Sequence, residues 1–423
     1  MASPLPQYLL PETSAITNGR LSIGGCDTLE LAAQFGTPLF VYDEEHLRAR
    51  CKEAVATFGD GVAYATKAFL CKAMARLAHE EGMHLDVATG GELWVALRAG
   101  VPAERLVLHG NNKSPVELTM ALEAGVGRIV IDSFDELSRL ENMAADQGKP
   151  IGVLIRITPG VEAHTHEFVS TGHDDTKFGF TVSTGAADQA IRQAQASPDL
   201  ELLGLHAHIG SQVFRLPSFE EAARVVARVA APYDLPELSL GGGLGVPYVE
   251  GESSPSITKW GQAIVGACRD EGVTGKVTAE PGRAIAAAAA VTLYTAGTIK
   301  DIPGTRTYVA VDGGMSDNPR PVLYGSGYEA FLARAADAPR PRAVRVVGKH
   351  CESGDVLVRE AWVPDDLAVN DVLATPVTGA YGHSMGSNYN KVLRPAVVFC
   401  RDGDARLVVR RETFDDLLIT DLE

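Results

Sequence analysis

Cysteine is scarce in this chain: there are six in 423 residues, and no two of them have CxxC spacing. This scarcity argues against a zinc ribbon, a thioredoxin-like motif and a disulfide-stapled secreted domain, and it is typical of a reducing cytoplasm. The chain also has neither an apolar run of about 18 residues nor a basic and then apolar signal segment at its start. We therefore expect a cytoplasmic protein with no membrane partner, and we predict no metal site.

Basic residues are in the minority. Lys and Arg total 38 against 54 Asp and Glu, which gives a formal net charge of −16. An acidic chain repels polyphosphate, so we expect no nucleic-acid partner. The length of 423 residues and the hydrophobic fraction of 45% are instead sufficient for two or three domains, each with a core of its own.

Short β-branched runs alternate with helix-like segments as far as residue 280. The predicted strands are 61–66, 84–88, 106–109, 128–132, 152–157, 202–209, 237–240 and 276–279. The predicted helices are 72–81, 91–99, 115–124, 134–147, 186–196, 218–231 and 257–271. Eight strands alternating with helices predict a (β/α)8 TIM barrel. The alternative is an open doubly wound sheet, which would usually need fewer strands and a glycine-rich turn after the first.

The alternation of predicted strands and helices ends before residue 290. Short predicted strands follow one another, separated by Gly-, Asp- and Pro-containing turns, at 291–299, 307–311, 342–347, 371–376, 396–400 and 405–410. One helix is predicted among them, at 328–336. This pattern predicts a second, all-β domain of sandwich or barrel type. We assign 36–290 to the barrel domain and 1–35 with 291–423 to the β-domain.

Polar or glycine residues stand at the carboxyl ends of the predicted barrel strands. They are Lys67, Asp86, His109, Asp132, Arg156, His208, the run Gly241–Gly243, and Glu280. One such residue is usually a satisfied structural group. Strand ends of a barrel converge on one mouth, however, where active sites are built, so the whole set favours an active site.

Three features of this set point to one cofactor. Lys67 has apolar neighbours, and an amine in apolar surroundings can lose its proton and attack a carbonyl. The glycine run lets backbone N–H groups approach a phosphate. Glu280 could face a pyridine nitrogen, and Arg283 could hold an anionic group. Together these features imply pyridoxal 5′-phosphate (PLP), bound by the barrel 36–290, with the β-domain of 1–35 and 291–423 completing the active site.

Six motifs stand in order along the chain: YATKA at 64–68, HAHIGSQ at 206–212, GGGLG at 241–245, EPGR at 280–283, CESGD at 351–355 and GAY at 379–381. With them the chain resembles the PLP-dependent decarboxylases that combine a barrel with a β-domain, which act on ornithine, arginine or diaminopimelate. Further stretches resemble the diaminopimelate decarboxylases most, namely 170–172 with 177–179, 317–325 and 387–390.

The resemblance implies a set of cofactor-binding residues: Lys67, His208, Ser211, Gly243, Glu280, Gly282, Arg283 and Tyr381. Lys67 would form the Schiff base with PLP, and His208 would stack on the ring. Glu280 would pair with the pyridinium nitrogen. The remaining members would bind the phosphate, except Tyr381, which would contact both cofactor and substrate.

The resemblance also implies substrate-binding residues: Arg283, Arg320, Tyr324, Glu352 and Tyr381. The two arginines and Tyr324 would hold a distal carboxylate, and Glu352 would accept a distal ammonium. Cys351 would be catalytic, as the proton donor after carbon dioxide leaves. Since Arg is the bidentate partner of a carboxylate, this set fits meso-diaminopimelate better than ornithine.

The implied function is therefore PLP-dependent decarboxylation of meso-2,6-diaminopimelate to L-lysine and CO2, the last step of lysine biosynthesis, by a homodimer with shared active sites. Three alternatives stay open: a decarboxylase of another or modified basic amino acid, an inactive regulatory homologue, and a racemase on a similar barrel. The chain departs from the family at Lys349-His350, where a Gly-Pro pair is common shortly before the cysteine, and this could reshape the distal pocket.

Overall fold

The computed structural model describes residues 4–145, 148, 150–161 and 174–422. The predicted motif at 170–172 and the last two residues of the predicted helix 134–147 lie outside the described residues. The chain divides into two compact units. We call Met1–Ala49, Val246–Ser253 and Ile285–Glu423 the β unit, and Arg50–Gly245 with Ser254–Ala284 the barrel unit. The sequence-based domain boundaries stay a prediction.

The first elements are short strands and two helices: β1 (Ala15–Thr17), β2 (Arg20–Ile23), β3 (Cys26–Asp27), α1 (Thr28–Phe35), β4 (Leu39–Asp43) and α2 (Glu44–Phe58). The strands β1 to β3 form an antiparallel sheet of three strands. Helix α1 begins where the Asp27 carboxylate accepts hydrogen bonds from the backbone N–H groups of Leu29 and Glu30. The sequence analysis assigned 1–35 to the β-domain and predicted no helix before residue 72, so it missed α1 and α2.

The barrel strands follow: β5 (Ala63–Ala65), β6 (His84–Val87), β7 (Leu106–Leu108), β8 (Arg128–Ile131), β9 (Ile151–Thr158), β10 (Phe180–Thr181), β11 (Leu200–His206), β12 (Glu237–Ser239) and β13 (Lys276–Thr278). Without β10, which pairs only with β9, eight parallel strands run from β5 to β13 in chain order. The backbone N–H groups of Ala63 and Ala65 donate to the carbonyls of Ala279 and Pro281, at 3.0 and 3.3 Å. These bonds close the sheet, so the predicted barrel is confirmed and the open sheet is excluded.

The predicted barrel helices are also present: α3 (Lys72–Glu80), α4 (Gly90–Arg98), α5 (Pro115–Ala124), α6 (Phe134–Ala144), α7 (Ala186–Ala196), α8 (Leu216–Ala230) and α9 (Ile257–Asp270). Side-chain caps fix several of their starts. Ser114 and Glu117 form a reciprocal capping box at α5, and Ser133 caps α6. Within the described residues, no helix is both long and apolar enough to cross a membrane.

The remaining elements are α10 (Arg283–Ala286), β14 (Ala290–Ile302), β15 (Arg306–Val311), α11 (Arg320–Tyr324), β16 (Phe331–Leu332), β17 (Arg342–Val347), β18 (Val356–Val363), β19 (Val372–Pro376), β20 (Ala396–Arg401) and β21 (Asp404–Val409). The main sheet of the β unit has the order β18-β17-β15-β14-β4-β20-β21, and β19 pairs with both β14 and β16. The long strand β14 thus pairs with β15, β19 and β4 and organises the unit.

Two details of the β unit differ from the sequence analysis. The predicted helix 328–336 is wrong: Phe331 and Leu332 form β16 and pair with Ala374 and Leu373 of β19. Alanines favour a helix locally, but strand pairing and burial of Phe331 override that weak preference. Strand β18 was not predicted.

The close approach of the barrel strands β11 and β12 can be tested at a glycine of β11. A Cβ on Gly204 would overlap the carbonyl oxygen of Glu237 in β12. We expect Gly204→Ala to lower the free energy of unfolding by about 3 kcal/mol, because the strands would have to shift. The measurement is denaturant unfolding. The control is Gly266→Ala in α9, where a Cβ meets no atom within 4 Å and a gain of about 0.5–1 kcal/mol is expected. A Gly204→Ala protein as stable as the parent would contradict this packing.

Candidate active site

Lys67 lies in a 3-10 turn, Thr66–Ala68, directly after β5. The Thr66 hydroxyl donates to the carbonyl of Asp86 at 2.8 Å and fixes this turn. The Lys67 side chain is exposed, although its neighbours Thr66 and Ala68 are buried. The expected apolar enclosure of the amine is therefore wrong: Lys67 is exposed, and its charge acts on Asp86 and His208 at neighbouring strand ends. An exposed amine is accessible to a ligand.

Glu280 follows β13 and is buried. His206 donates from Nε2 to Glu280 Oε2 at 2.9 Å, and the Ser239 hydroxyl donates to Oε1 at 3.0 Å. His109 Nε2 lies 3.2 Å from Oε1. Burial alone would raise the pKa of Glu280, but the imidazoles of His109 and His206 hold this pKa well below its usual range. The carboxylate is therefore ionised.

The groups around Glu280, which we call the barrel cluster, are Asp86, His109, His206 and Glu280. Burial raises the pKa of Asp86 to about 6, although His109 acts in the opposite direction. Burial opposes protonation of His109, but Asp86 and Glu280 outweigh it and raise the pKa of His109. Burial lowers the pKa of His206 to about 4. Of the two histidines in the cluster, His109 is therefore the one whose protonated form is favoured.

The barrel cluster also has donor atoms of the kind that metals accept. One atom each from His109, His206 and Glu280 lies within 4.8 Å of the other two. These atoms already interact with one another, since His206 donates to Glu280 and His109 lies beside it. The absence of a metal site stays a prediction.

His208 stands two residues after His206, beyond the end of β11. Its Nδ1 accepts a hydrogen bond from the backbone N–H of Gly242 at 3.2 Å, so the ring orientation is fixed and the ring proton is assigned to Nε2. Burial, together with the positive charges of Lys67 and Arg156, lowers the pKa of His208 well below its ordinary value. The ring is neutral and planar, which suits stacking.

The glycine run after β12 lies against the ends of β11 and β13. A Cβ on Gly242 would overlap the carbonyl oxygen of Glu280, and a Cβ on Gly243 would overlap that of Gly210. Gly243 also has φ of +109°, a conformation that side chains disfavour. Gly282 is equally tight, since its Cβ would lie 2.9 Å from Ala65 Cβ. Neighbouring protein atoms therefore fill the space that side chains at 242, 243 and 282 would need, so only glycine fits here and main-chain groups form this part of the strand ends.

Ser211 and Arg283 meet at the same strand ends. Arg283 Nη2 donates to Ser211 Oγ at 2.8 Å, and the guanidinium is buried. Ser211 directly follows Gly210, whose carbonyl Gly243 approaches. A guanidinium, a hydroxyl and glycine backbone together are suited to bind a phosphate.

The donor set fits PLP part by part. The buried, ionised Glu280 suits a protonated ring nitrogen, and the neutral His208 ring suits a flat aromatic face. The Ser211–Arg283 pair and the glycine run suit the phosphate, and the exposed Lys67 amine suits the aldehyde. The structure thus brings together in the barrel unit all seven predicted cofactor-binding residues that lie there. Their individual roles stay predictions.

In the β unit, Arg320 begins α11 and is buried. Its Nη1 donates to the Tyr328 hydroxyl at 2.6 Å, and its Cζ lies 4.1 Å from the centre of the Tyr248 ring. The Arg320 Nε is buried and has no hydrogen-bond partner in the described part of the chain. A buried donor without a partner on a permanently charged group is suited to bind an anionic ligand. Sequence reasoning missed Tyr248 and Tyr328.

The other predicted substrate residues of the β unit occupy two loops and one helix. Tyr324 lies half-buried at the end of α11. Tyr381 follows β19 with φ of +60°, which is uncommon for a non-glycine residue and points to a functional constraint. Cys351 and Glu352 are exposed in the loop between β17 and β18. Arg320 and Tyr324 therefore share α11, and Cys351 and Glu352 share one loop.

Comparison with known proteins identifies the family. Residues 44–287 match the family described as "Pyridoxal-dependent decarboxylase, pyridoxal binding domain". The chain is 50% identical to the diaminopimelate decarboxylase of Mycobacterium tuberculosis over 422 residues, covering 95% of this chain and 94% of that protein. Identity to the Bacillus subtilis diaminopimelate decarboxylase is 46% over 421 residues, covering 96% of each chain. The chain belongs to the diaminopimelate decarboxylase family.

A solved structure of this family agrees with the fold. Diaminopimelate decarboxylase from M. jannaschii, crystallised in complex with L-lysine, superimposes with a TM-score of 0.91 at 33% sequence identity, covering 97% of this chain and 98% of that one. Membership of the diaminopimelate decarboxylase family confirms the predicted PLP dependence and amino-acid decarboxylase class. The barrel cluster and the Ser211–Arg283 pair are therefore cofactor-site candidates.

We expect Lys67→Ala to abolish both the visible absorption of enzyme-bound PLP and turnover, because the amine that would carry the cofactor is removed. Absorption spectroscopy of purified protein and release of CO2 are the measurements. Lys72→Ala, at the start of α3, is the matched control and should leave both unchanged. Normal absorption of Lys67→Ala would show that another lysine carries PLP.

Proposed function

We propose that this chain decarboxylates meso-2,6-diaminopimelate to L-lysine and CO2, the last step of lysine biosynthesis. The observation that carries the proposal is the buried Arg320 with its orphaned Nε. Diaminopimelate differs from lysine by a second carboxylate, and a desolvated guanidinium is the group that binds a carboxylate in a bidentate manner. Lysine and ornithine, the substrates of lysine and ornithine decarboxylases, have no distal carboxylate that such a group could bind.

The roles of the residues follow from the chemistry of the reaction. PLP, when bound, supplies an electron sink for the electron pair that remains on Cα as the carboxylate departs. Ionised Glu280 keeps the ring nitrogen protonated, which its low pKa permits. Arg320 and Tyr324 hold the distal carboxylate, and Glu352 accepts the distal ammonium. The bond from Cα to the carboxylate breaks, CO2 leaves, and the Cys351 thiol gives a proton to that carbon. Water then returns a proton to Cys351.

A panel of substrates tests this proposal together with Arg320. The enzyme should release CO2 from meso-diaminopimelate and not from L-lysine, L-ornithine or L-arginine. Arg320→Ala should raise KM for meso-diaminopimelate by about 10- to 100-fold, because a charge-assisted pair is worth about 1.5–3 kcal/mol. The PLP absorption should stay unchanged.

Arg359→Ala, an exposed arginine of β18, is the control and should have the parent KM. Decarboxylation of another or modified basic amino acid instead would reject the proposed substrate. An unchanged KM in Arg320→Ala would remove Arg320 from the distal site.

The proposal also includes a cytoplasmic homodimer with shared active sites, without membrane or nucleic-acid partners. The scarce cysteines and the net charge of −16 support the location and the absence of those partners. Shared sites are supported by the distribution of the candidate residues. Lys67, His208 and Glu280 belong to the barrel unit, but Cys351 and Glu352 belong to the β unit. In our proposal the domain 36–290 binds PLP, and the domain formed by 1–35 and 291–423 completes the partner's site. A two-fold dimer makes two equivalent sites of this kind at once.

Mixed dimers test the sharing. Lys67→Ala and Cys351→Ala proteins, each inactive alone, are combined under conditions in which subunits exchange. If sites are shared, each heterodimer has one doubly defective and one intact site, so random pairing restores about a quarter of the parental sites. The activity of the mixture is the measurement, and exchange is verified with two affinity tags. Exchange without any return of activity would show that each chain supplies its own Cys351.

A further inference from the structure

The motif Ser387–Asn390 has no role in the proposed reaction, yet its last two residues contact the loop that contains Cys351. Asn390 Oδ1 accepts a hydrogen bond from the backbone N–H of Cys351 at 3.0 Å. The Tyr389 hydroxyl is directed at Glu352 Oε2, at 3.5 Å. Asn390 thus contacts Cys351, and its neighbour Tyr389 contacts Glu352.

Asn390, which contacts Cys351, has an unusual backbone conformation. Its φ of 52° and ψ of 24° lie in the left-handed region, where Asn is tolerated better than most residues. This conformation has an energetic cost for any residue with a side chain, and here it accompanies a hydrogen bond from the side chain to the Cys351 backbone. The sequence requirement at 390 is therefore for left-handed backbone and for an acceptor oxygen together.

Tyr389 is held by His350. The two rings are parallel within 7°, with their centres 5.6 Å apart. The His350 side chain is fully buried, and its Nδ1 donates to Asp355 Oδ2 at 2.8 Å. His350, one of the two residues at which the chain departs from the family, therefore provides a fixed ring on which Tyr389 stacks.

The base of the Cys351 loop is closed around Asp355. Its carboxylate accepts from the backbone N–H groups of Met315 at 2.7 Å and His350 at 3.0 Å. A Cβ on Gly348 would overlap this carboxylate. The base is thus rigid and buried, whereas Cys351 and Glu352 at the tip are exposed and cannot be held by packing.

We propose that Asn390 and Tyr389 are positioning residues, Asn390 for the proton donor Cys351 and Tyr389 for the substrate-binding Glu352. This inference rests on the proposed function. It requires the two residues to affect different kinetic constants. Misplacing a proton donor slows the chemical step, whereas misplacing the acceptor of the distal ammonium weakens substrate binding. A merely structural role would change both constants together.

The Asn390 experiment separates the side chain from the backbone. Asn390→Gly keeps the left-handed conformation but removes the acceptor, and Asn390→Asp keeps an acceptor oxygen. We expect Asn390→Gly to lower kcat by about three- to tenfold with KM within about twofold, the range for loss of one hydrogen bond. Asn390→Asp should restore kcat. Alkylation of Cys351 by iodoacetamide, followed by mass spectrometry, should be about threefold faster in Asn390→Gly because the tip is released.

The Tyr389 experiment uses Tyr389→Phe, which keeps the ring on His350 and removes the hydroxyl. We expect KM for meso-diaminopimelate to rise by about two- to fivefold with kcat unchanged, since a single long hydrogen bond is lost. Parental kcat and parental alkylation in Asn390→Gly would overturn the role of Asn390. Equal changes of kcat and KM in both variants would overturn positioning in favour of a structural role.

A Cys351→Ala enzyme distinguishes failure of this inference from failure of the proposed function. Full turnover of Cys351→Ala would reject Cys351 as the proton donor, and with it the proposed mechanism. Loss of turnover in Cys351→Ala, with parental kcat and alkylation in Asn390→Gly, would reject only the positioning role.

Discussion

An ionised carboxylate buried at a strand end is the constraint on which the barrel site depends. Removing a charge from water is costly unless other groups compensate it. For Glu280 that compensation comes from His206 at the end of β11, Ser239 at the end of β12 and His109 after β7. Only a closed barrel brings these strand ends to one place, so the fold and the ionisation state of Glu280 require each other.

The segment that contains Glu280 also determines where glycine is required in the run Gly241–Gly243. Because the carbonyl of Glu280 lies against Gly242, a side chain at 242 would move the carboxylate away from its histidines. The N–H of Gly242 in turn fixes the ring of His208. The glycine run therefore contributes to the candidate cofactor site in two observed ways, since it orients the His208 ring and leaves Glu280 in place, and phosphate binding by its backbone stays a prediction.

The placement of the candidate barrel residues at strand ends could be predicted from the sequence, because strand-end position is a local pattern that repeats with the βα period, whereas their roles stay predictions. His206 received no role, although its place two residues before His208 in the predicted strand 202–209 could have indicated a shared face. Tyr248 and Tyr328, which hold Arg320, could not be predicted. They come from segments far apart in the chain, and Tyr328 lay inside a predicted helix that strand pairing overrides. The exposure of Lys67 was also missed, since apolar neighbours in sequence need not surround a side chain in space.

Glu280 and its partners are fixed by burial, whereas Cys351 and Glu352 are exposed. The proposed sharing of sites explains this difference. Glu280 must keep one protonation state, and burial among fixed donors achieves this. A residue that serves a neighbouring subunit must instead be exposed on its own chain, as Cys351 is. Packing cannot then fix it, so its position depends on local bonds such as the one from its N–H to Asn390. Exposure also allows the proton that each turnover consumes to be replaced. If Cys351 is the proton donor that we propose, its loop needs a rigid base and a tip that is held by a neighbouring segment, and Asp355 and Asn390 are placed to supply one each.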